Sequence, residues 1–499
     1  MPAAEAPGLQ LVLDIGTHKI LGLAVLVESG EVSVSAAAVR RHGSRAMRDG
    51  QVHDVPAVAA TVRQVVRSLE ETVGAKLTKA SIAAAGRALR TARGRAEQIQ
   101  SRPETCSGEL EQQLEWQAVA DAQGRLLTSL PGEQQRWGYY CIAHSRTGCW
   151  LDGDAIGRLA GQRGRQLAME VLATFLPGTV VDSLEAVLRE AGLEVNSLTL
   201  EPIAALEAVI PPTMRHLDLV LVDVGAGTSD IALTGGGTVQ AYAMVPQAGD
   251  SITEAVSHGF LLDFPVADEV KRRASRGETV TVENVLGEPV TVDPAALAET
   301  IREATEQLAD KIAGAICEWT AQKAPAAVLL VGGGSQTPGL AEGLAERLGL
   351  PKSRVAIRDR RAVRGVRGEV GLSGPEVVTA LGIALRLARG REIPPIRVRV
   401  NGRPVSLFLP DRCTVREAAR IAGIPLSHLV GSMGPGITVT VNGDVMVIPG
   451  SKGEAARIHV NGQPATLDTV LANQDDVELS TAARGEPPRQ NGGDHRAPG

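Results

Sequence analysis

The chain has 499 residues, 43% of them hydrophobic, and a formal net charge of −6, which allows several domains with sizeable cores. Acids and bases are mixed and only four Phe, four Trp and three Tyr occur. Neither the basic excess of a nucleic-acid protein nor the stacking platforms of a single-strand binder is present.

The first residues lack the basic start and apolar core of a secretory signal, and no apolar run reaches the roughly 18–20 residues of a membrane span. Cys106, Cys141, Cys149, Cys317 and Cys413 are widely spaced without a CxxC pair. They read as reduced thiols of a cytosolic protein.

From Leu9, LQLVLDIGTHKILGLAVLVESGEVSVSAAAV predicts a strand ending at Asp14, a tight Gly-Thr turn, a second strand, a turn near Ser29 and a third strand. Apolar residues at Val58, Val62, Val65, Val66, Leu69 and Val73 have helical spacing. Residues 79–177 interrupt this domain with short strand-like runs, and Arg95 to Gln113 reads as partly loop. A helix over Val180 to Ala191 and a strand over Ser197 to Glu201 follow.

From Asp218 the opening layout recurs: DLVLVDVGAGTSDIALTGGGTVQAYAMV again carries a strand ending in an acid, Asp223, then a Gly-Thr turn and two more strands. One supersecondary unit written twice predicts two like domains facing each other. A hairpin over Thr279 to Val292, a helix from Pro294 to Gln322, a buried strand over Ala326 to Val331 closed by Gly332, Gly333, Gly334 and Ser335, and a last helix from Pro375 to Leu387 complete this body. Beyond Glu392, Asn401-Gly402, Asn442-Gly443 and Asn461-Gly462 are type I′ hairpin cues around one helix over Thr414 to Ala422. This region reads as a small β-grasp-like domain, with a polar, disordered tail from Gly485.

The two acid-bearing turns carry the chemistry. Small residues at Gly16 and Thr17, and at Gly225, Ala226, Gly227 and Thr228, expose backbone N–H groups that can nest phosphate oxygens. Asp14 and Asp223 would flank a polyphosphate held from both sides. Two anions beside phosphate imply Mg²⁺, held through its waters. Lys19 would add a cation near the terminal phosphates. Taken singly, each turn is an ordinary strand end; taken together in matching contexts they point to one nucleotide pocket.

The ordered set DIGTHK at Asp14, LEPIAA at Leu200, DVGAGTSD at Asp223, ADEVK at Ala267, LLVGGGS at Leu329 and TALGIA at Thr379 resembles the actin, chaperone and sugar-kinase ATPase superfamily. Within it, the chain is most similar to FtsA and relatives such as PilM, over about Leu9 to Arg389. The resemblance implies an α/β fold of duplicated actin-like (ribonuclease H-like) domains around a cleft. Residues 1–78 and 178–216 would form subdomain IA, residues 79–177 an inserted α+β SHS2-like domain, and residues 217–390 subdomain II. Residues 391–484 would be the β-grasp-like domain and 485–499 the tail.

It also implies ATP with Mg²⁺ as ligands. Gly16, Thr17 and Lys19 match the first phosphate motif, Gly225, Gly227 and Thr228 the second, and Gly332, Gly333, Gly334 and Ser335 the adenosine motif. Asp268 and Lys271 fall where relatives contact the ribose; an exposed ion pair is the plainer reading. Glu201 matches the acid that orients the attacking water, catalytic with Asp14 and Asp223, or it simply ends a strand. Ala226 stands where the family has Gly, and Asp268 where it has Glu.

The implied role is a nucleotide-switched adaptor or filament former in cell division, acting through an FtsZ-like division protein or assembly components, with self-association and at most peripheral membrane contact. Whether ATP is hydrolysed stays open. A small-molecule kinase of the same superfamily, a pilus-type adaptor and a nucleotide-free scaffold are the alternatives. His18, His144 and His216 have no metal spacing and read as surface or turn residues. The basic run Arg354, Arg358, Arg360, Arg361, Arg364 and Arg367 reads as a solvated loop, or as a contact for anionic lipid or an acidic partner.

Overall fold

A computed structural model describes residues 8–488, apart from 29, 44, 86–88, 132–138, 321–322, 369–370, 372, 391–395, 408–412, 426–427, 430, 442–443, 450 and 484. The chain opens with β1 (Leu9–Ile15), β2 (Lys19–Glu28), β3 (Glu31–Arg41), the short β4 (Met47–Arg48) and β5 (Gln51–Val52), helix α1 (Val55–Val73) and β6 (Lys79–Ala84). An insert follows: β7 (Arg90–Thr105), α2 (Gly108–Ser129), β8 (Tyr139–Leu151), β9 (Asp154–Ile156) and β10 (Arg163–Pro177). Helix α3 (Gly178–Glu190), β11 (Glu194–Leu200) and α4 (Glu201–Val209) lead to the second copy.

That copy holds β12 (Leu219–Val224), β13 (Ser229–Gly235), β14 (Thr238–Val245), α5 (Gly249–Phe260), α6 (Phe264–Ala274), β15 (Val280–Glu283) and β16 (Pro289–Val292). It continues with α7 (Pro294–Trp319), β17 (Ala327–Val331), α8 (Leu340–Arg347), β18 (Val355–Ile357), β19 (Val366–Arg367) and α9 (Val378–Ala388). Among the described residues no helix is long and apolar enough to cross a membrane.

Two sheets share one plan. The first runs β11-β6-β1-β2-β3-β19 and the second β14-β13-β12-β17-β18. In each, three antiparallel strands are followed by parallel additions at the first strand. The duplicated sequence unit is thus a duplicated sheet unit, one in each lobe. Alternation explains the core: Val220, Val222 and Val224 of β12 pack with Ile252, Leu308, Ile312 and Leu330.

The structure corrects several readings. β6, placed in the insert by sequence, pairs parallel with β1 and belongs to the first sheet; the insert starts at β7. Arg95 to Gln113 is loop only at Cys106 and Ser107: β7 pairs with β10 from Arg90 to Thr105, and α2 starts after Ser107, whose Oγ accepts the Leu110 N–H at 3.1 Å. The polar sequence misled because β7 turns alternate charged residues to solvent. Four strands, β7-β10-β8-β9, carry α2, whose Leu114, Ala118, Ala122 and Leu126 pack with Leu167, Met169, Val171 and Phe175.

Residues 217–390 are not one lobe either. β19 returns to pair with β3, and α9 packs on β1, β2, β3 and β6 and crosses α4. The crossing is very close: a Cβ at Gly382 would lie 1.8 Å from the Ala204 carbonyl oxygen. Beyond it, buried Glu207 binds Arg215 at 2.9 Å and also pairs with Arg389, fastening the far ends of the two helices.

The described residues between 396 and 488 form a second compact unit. It comprises β20 (Ile396–Val400), β21 (Arg403–Leu407), α10 (Val415–Ile421), β22 (Ile437–Val441), β23 (Asp444–Ile448), β24 (Ile458–Val460), β25 (Gln463–Pro464) and β26 (Asp476–Leu479). Its sheet runs β21-β20-β26-β24-β25, with β20 and β26 parallel. Asn401-Gly402 and Asn461-Gly462 have positive φ at both positions, 49°/76° and 52°/74°, as type I′ turns require. Asn442-Gly443 lies outside the described residues. Gly485 and Glu486, read from sequence as the start of the tail, are bonded to this unit: Gly485 N–H reaches Ser432 O at 3.0 Å and Glu486 N–H reaches Ser451 Oγ at 2.8 Å.

The helix crossing gives a direct check. Gly382→Val would force a branched side chain into the Ala204 carbonyl and is expected to cost roughly 3 kcal/mol or more. Gly314→Ala, where an added Cβ meets nothing within 4 Å inside α7, is expected to be neutral or to stabilise by up to about 1 kcal/mol. Urea unfolding of both variants reads the difference.

Candidate nucleotide cleft

The two turns are built alike. Strands β1 and β2 pair up to Ile15↔Ile20, and Gly16 N–H bonds Lys19 O at 3.1 Å. Strands β12 and β13 pair up to Val224↔Ser229, and Gly225 N–H bonds Thr228 O at 2.9 Å. Each turn therefore has the same four-residue closure one residue after an acid-bearing strand end.

The lobes bring the turns together. A Cβ at Gly227 would lie 3.2 Å from Thr17 Oγ1 and 2.7 Å from Asp49 Cα. The Asp49-Gly50 turn, with φ 47° and 74°, sits between them, and Gly50 N–H donates to Thr17 Oγ1 at 3.0 Å. Sequence reading gave this turn no role.

Four acids share the cleft floor. Asp14 is pushed up to about 7 by burial and then by Asp223, with Lys19 opposing. Asp223 is pushed up to about 6 by burial, opposed by the Thr379 hydroxyl and Lys19. Thr379 Oγ1 donates to Asp223 Oδ2 at 2.5 Å. Burial, with Asp230, Asp14 and Asp223, raises Glu201 well above the usual carboxylate range. Glu201 is the first residue of α4 rather than the end of a strand, which corrects the sequence reading.

Asp230 was quoted in a motif but given no role. It lies opposite Asp223 in the β12–β13 register, is 1% exposed, and accepts from Thr228 Oγ1 at 3.0 Å. Burial also pulls the Lys19 ammonium down, opposed by Glu376 and Asp14. Glu376 had no sequence signal.

This donor set suits a divalent cation, since one lysine faces several carboxylates that hold each other's protons on. Among the described residues no three His, Cys, Asp or Glu side chains converge closely enough to ligate a metal directly.

The Gly332–Ser335 loop lies on the second turn. Gly332, at φ 79°, would carry a Cβ 2.2 Å from Asp223 Oδ1, and one at Gly334 would lie 2.7 Å from Gly225 O. Gly332 and Gly334 are required by the close approach of β12 and the turn after it. Ser335 Oγ donates to Gly332 O at 2.7 Å, and Gly333 is the first residue of the short turn that follows.

Asp268 and Lys271 stand on α6 as an ion pair at 3.3 Å. Lys271 Nζ also donates to Gly249 O at 3.0 Å and Thr253 Oγ1 at 2.5 Å. Burial would raise Asp268, but Lys271, His18 and Arg272 hold it below its usual value. His18 lies in the turn between β1 and β2 with its side chain 32% exposed, and partial burial pulls it down to about 4, so it is neutral at pH 7. Its Nε2 approaches Asp268 at 3.4 Å without a hydrogen bond.

Further bridges cross the cleft mouth: Arg41 to Glu269 at 3.4 Å, Arg45 to Glu254 at 3.2 Å, and Arg45 over the Phe264 ring at 4.0 Å. A cavity of about 550 Å³ lined by Arg63, Arg67, Glu70, Lys76 and Gly192 lies away from the acids, beside α1.

The basic run is only partly solvated. Arg360 donates to Val363 O and Val366 O, Arg361 pairs with Asp359, and Arg367 with Glu31. His144 bonds Glu115 at 3.1 Å and stacks edgewise on Trp116.

The family model for "Cell division protein FtsA" matches residues 220–382. The chain is 25% identical over 378 residues to the cell division protein FtsA of Pseudomonas aeruginosa, spanning 72% of this chain and 87% of that one. It is 24% identical over 352 residues to the FtsA of Enterococcus hirae, spanning 67% and 75%. Its fold is similar to a solved PilM-PilN type IV pilus biogenesis complex, with TM-score 0.53 and 22% identity, over 77% of this chain and 99% of that chain.

The acid cluster predicts a pH signature. Asp14 binds its proton more tightly folded than unfolded, so its contribution is full below pH 4 and is lost as pH rises toward 7. Asp14→Asn is expected to stabilise the ligand-free protein by roughly 1–2 kcal/mol at pH 7.5 and to change little at pH 4. Thermal unfolding at both pH values checks the sign. With matched lobes and paired turns, the chain is similar in sequence to these cell division proteins FtsA and in fold to the PilM-PilN complex.

Proposed function

We propose that the chain binds ATP with Mg²⁺ between its lobes and works as a nucleotide-switched adaptor or filament former in cell division or a related assembly. The observation that carries this is the approach of two identically closed glycine turns, Gly227 toward Thr17, above four crowded acids. Gly16–Thr17 and Gly225–Thr228 would cradle phosphate oxygens by backbone N–H groups. Lys19 would face the terminal phosphates. Asp14 and Asp223 would hold the cation's water shell. The cation supplies charge neutralisation between phosphates and acids.

Glu201 orients an attacking water only when ionised, and burial beside Asp230, Asp14 and Asp223 opposes that form. Hydrolysis is therefore expected to be slow. Gly332–Ser335 on one side and Asp268 with Lys271 on the other are proposed for the nucleoside, the shorter Asp268 being already engaged by Lys271. Nucleotide would act by changing the cross-cleft bridges, a hinge device that partners can read.

The partners proposed are an FtsZ-like division protein or other assembly components, and further copies of this chain, on the cytoplasmic side and at most peripherally on the membrane. The insert is proposed as SHS2-like. The last unit is proposed as β-grasp-like, supported by its strand order and parallel central pair.

The closed mouth, with Asp49 against Gly227, favours one second reading, a nucleotide-free scaffold. Calorimetry with ATP and Mg²⁺ separates the two. The wild type is expected to bind, and an Asp14→Ala, Asp223→Ala double variant to bind at least about tenfold more weakly. Equal affinities, or no binding by the wild type, would count against the nucleotide reading.

A further inference from the structure

Thr379 belongs to TALGIA, a stretch that marks the fold but had no chemical role. It is 5% exposed at the start of α9, and its hydroxyl donates to Asp223 Oδ2 at 2.5 Å. Asp223 belongs to the second lobe, whereas the body of α9 packs on the sheet of the first. The lead-in to α9 is fastened to the second lobe as well, because Gly332 N–H donates to Pro375 O at 3.1 Å. Glu376, next in sequence, faces Lys19 of the first turn closely enough to oppose the fall in its basicity.

The other side of α9 is equally constrained. Gly382 presses on Ala204 of α4, the helix that begins with Glu201. The far ends of α4 and α9 are joined through Glu207 and Arg389. One rigid crossed pair thus carries Glu201 at the start of one helix and the donor to Asp223 at the start of the other. Residues in such a packed pair move together rather than separately.

We infer that Thr379 is a positioning residue: its hydroxyl fixes the Asp223 carboxylate against α9 and so couples the metal side of the cleft to the helix that leads into the C-terminal unit. The hydroxyl's one proton is spent on the carboxylate. A charge-assisted bond of this kind, buried, is strong enough for its loss to be felt at the site.

A double-mutant cycle tests this. Thr379→Val keeps shape and removes the donor; Thr379→Ser keeps the donor. The inference uses the nucleotide reading only for its affinity arm, so the cycle is also run on urea unfolding of the ligand-free protein.

Thr379→Val is expected to weaken binding of Mg²⁺–ATP about tenfold, to leave Mg²⁺-free ATP within about twofold, and to be rescued by Thr379→Ser. In an Asp223→Ala background Thr379→Val should be nearly silent in both affinity and unfolding. A loss equal with and without Mg²⁺, no rescue by Ser, or an unfolding effect undiminished by Asp223→Ala would overturn the inference. If no nucleotide binds at all, the function reading fails, while the unfolding cycle still decides whether 379 and 223 are coupled.

Discussion

The structure is organised around carboxylates that repel one another. Asp14 and Glu201 come from the first lobe and Asp223 and Asp230 from the second; Asp223 raises the proton affinity of Asp14, and Asp230, Asp14 and Asp223 raise that of Glu201. Lys19 alone cannot neutralise them. Holding such groups together costs stability, because burial penalises each ionised form and like charges add to the penalty. A fold keeps that arrangement only if the surrounding packing over-determines it. Here the two sheets end their first strands at the same place, and the turn after each acid is closed by the same backbone hydrogen bond.

What holds the lobes at that separation is the returning end of the first body. Helix α9 touches both lobes, with its start bonded to Asp223 and its body against α4 at Gly382. The mouth is held by weaker contacts, Arg41 to Glu269 and Arg45 to Glu254, between side chains about half exposed. Exposed pairs contribute little each, so the mouth is the soft side and the α4–α9 crossing the hard side. That asymmetry is what a hinge requires.

Much of this was legible in the residues. The repeated strand–Asp–Gly-turn unit gave both sheets and both halves of the cleft, because strand alternation and glycine turns are local signals. The return of β19 and α9 to the first lobe was not legible, since nothing local says which sheet a strand or helix will join. β7 was hidden by its solvent face of alternating charges. Glu201 was placed at a strand end, although Pro202 suits the first turn of the helix that Glu201 begins. Asp230, Glu376, Thr379 and the Asp49-Gly50 turn entered only with coordinates, as their roles depend on neighbours distant in sequence. The approach of Asp268 to His18 was hidden for the same reason: it lies far along the chain.

The most direct test is a crystal structure of the chain with Mn²⁺ and a non-hydrolysable ATP analogue, locating the metal by its anomalous signal. The account predicts one metal peak between Asp14 and Asp223, at water-bridged distance, with the triphosphate lying along both glycine turns. A metal or triphosphate lodged elsewhere, or a cleft that excludes both at saturating concentration, would contradict it.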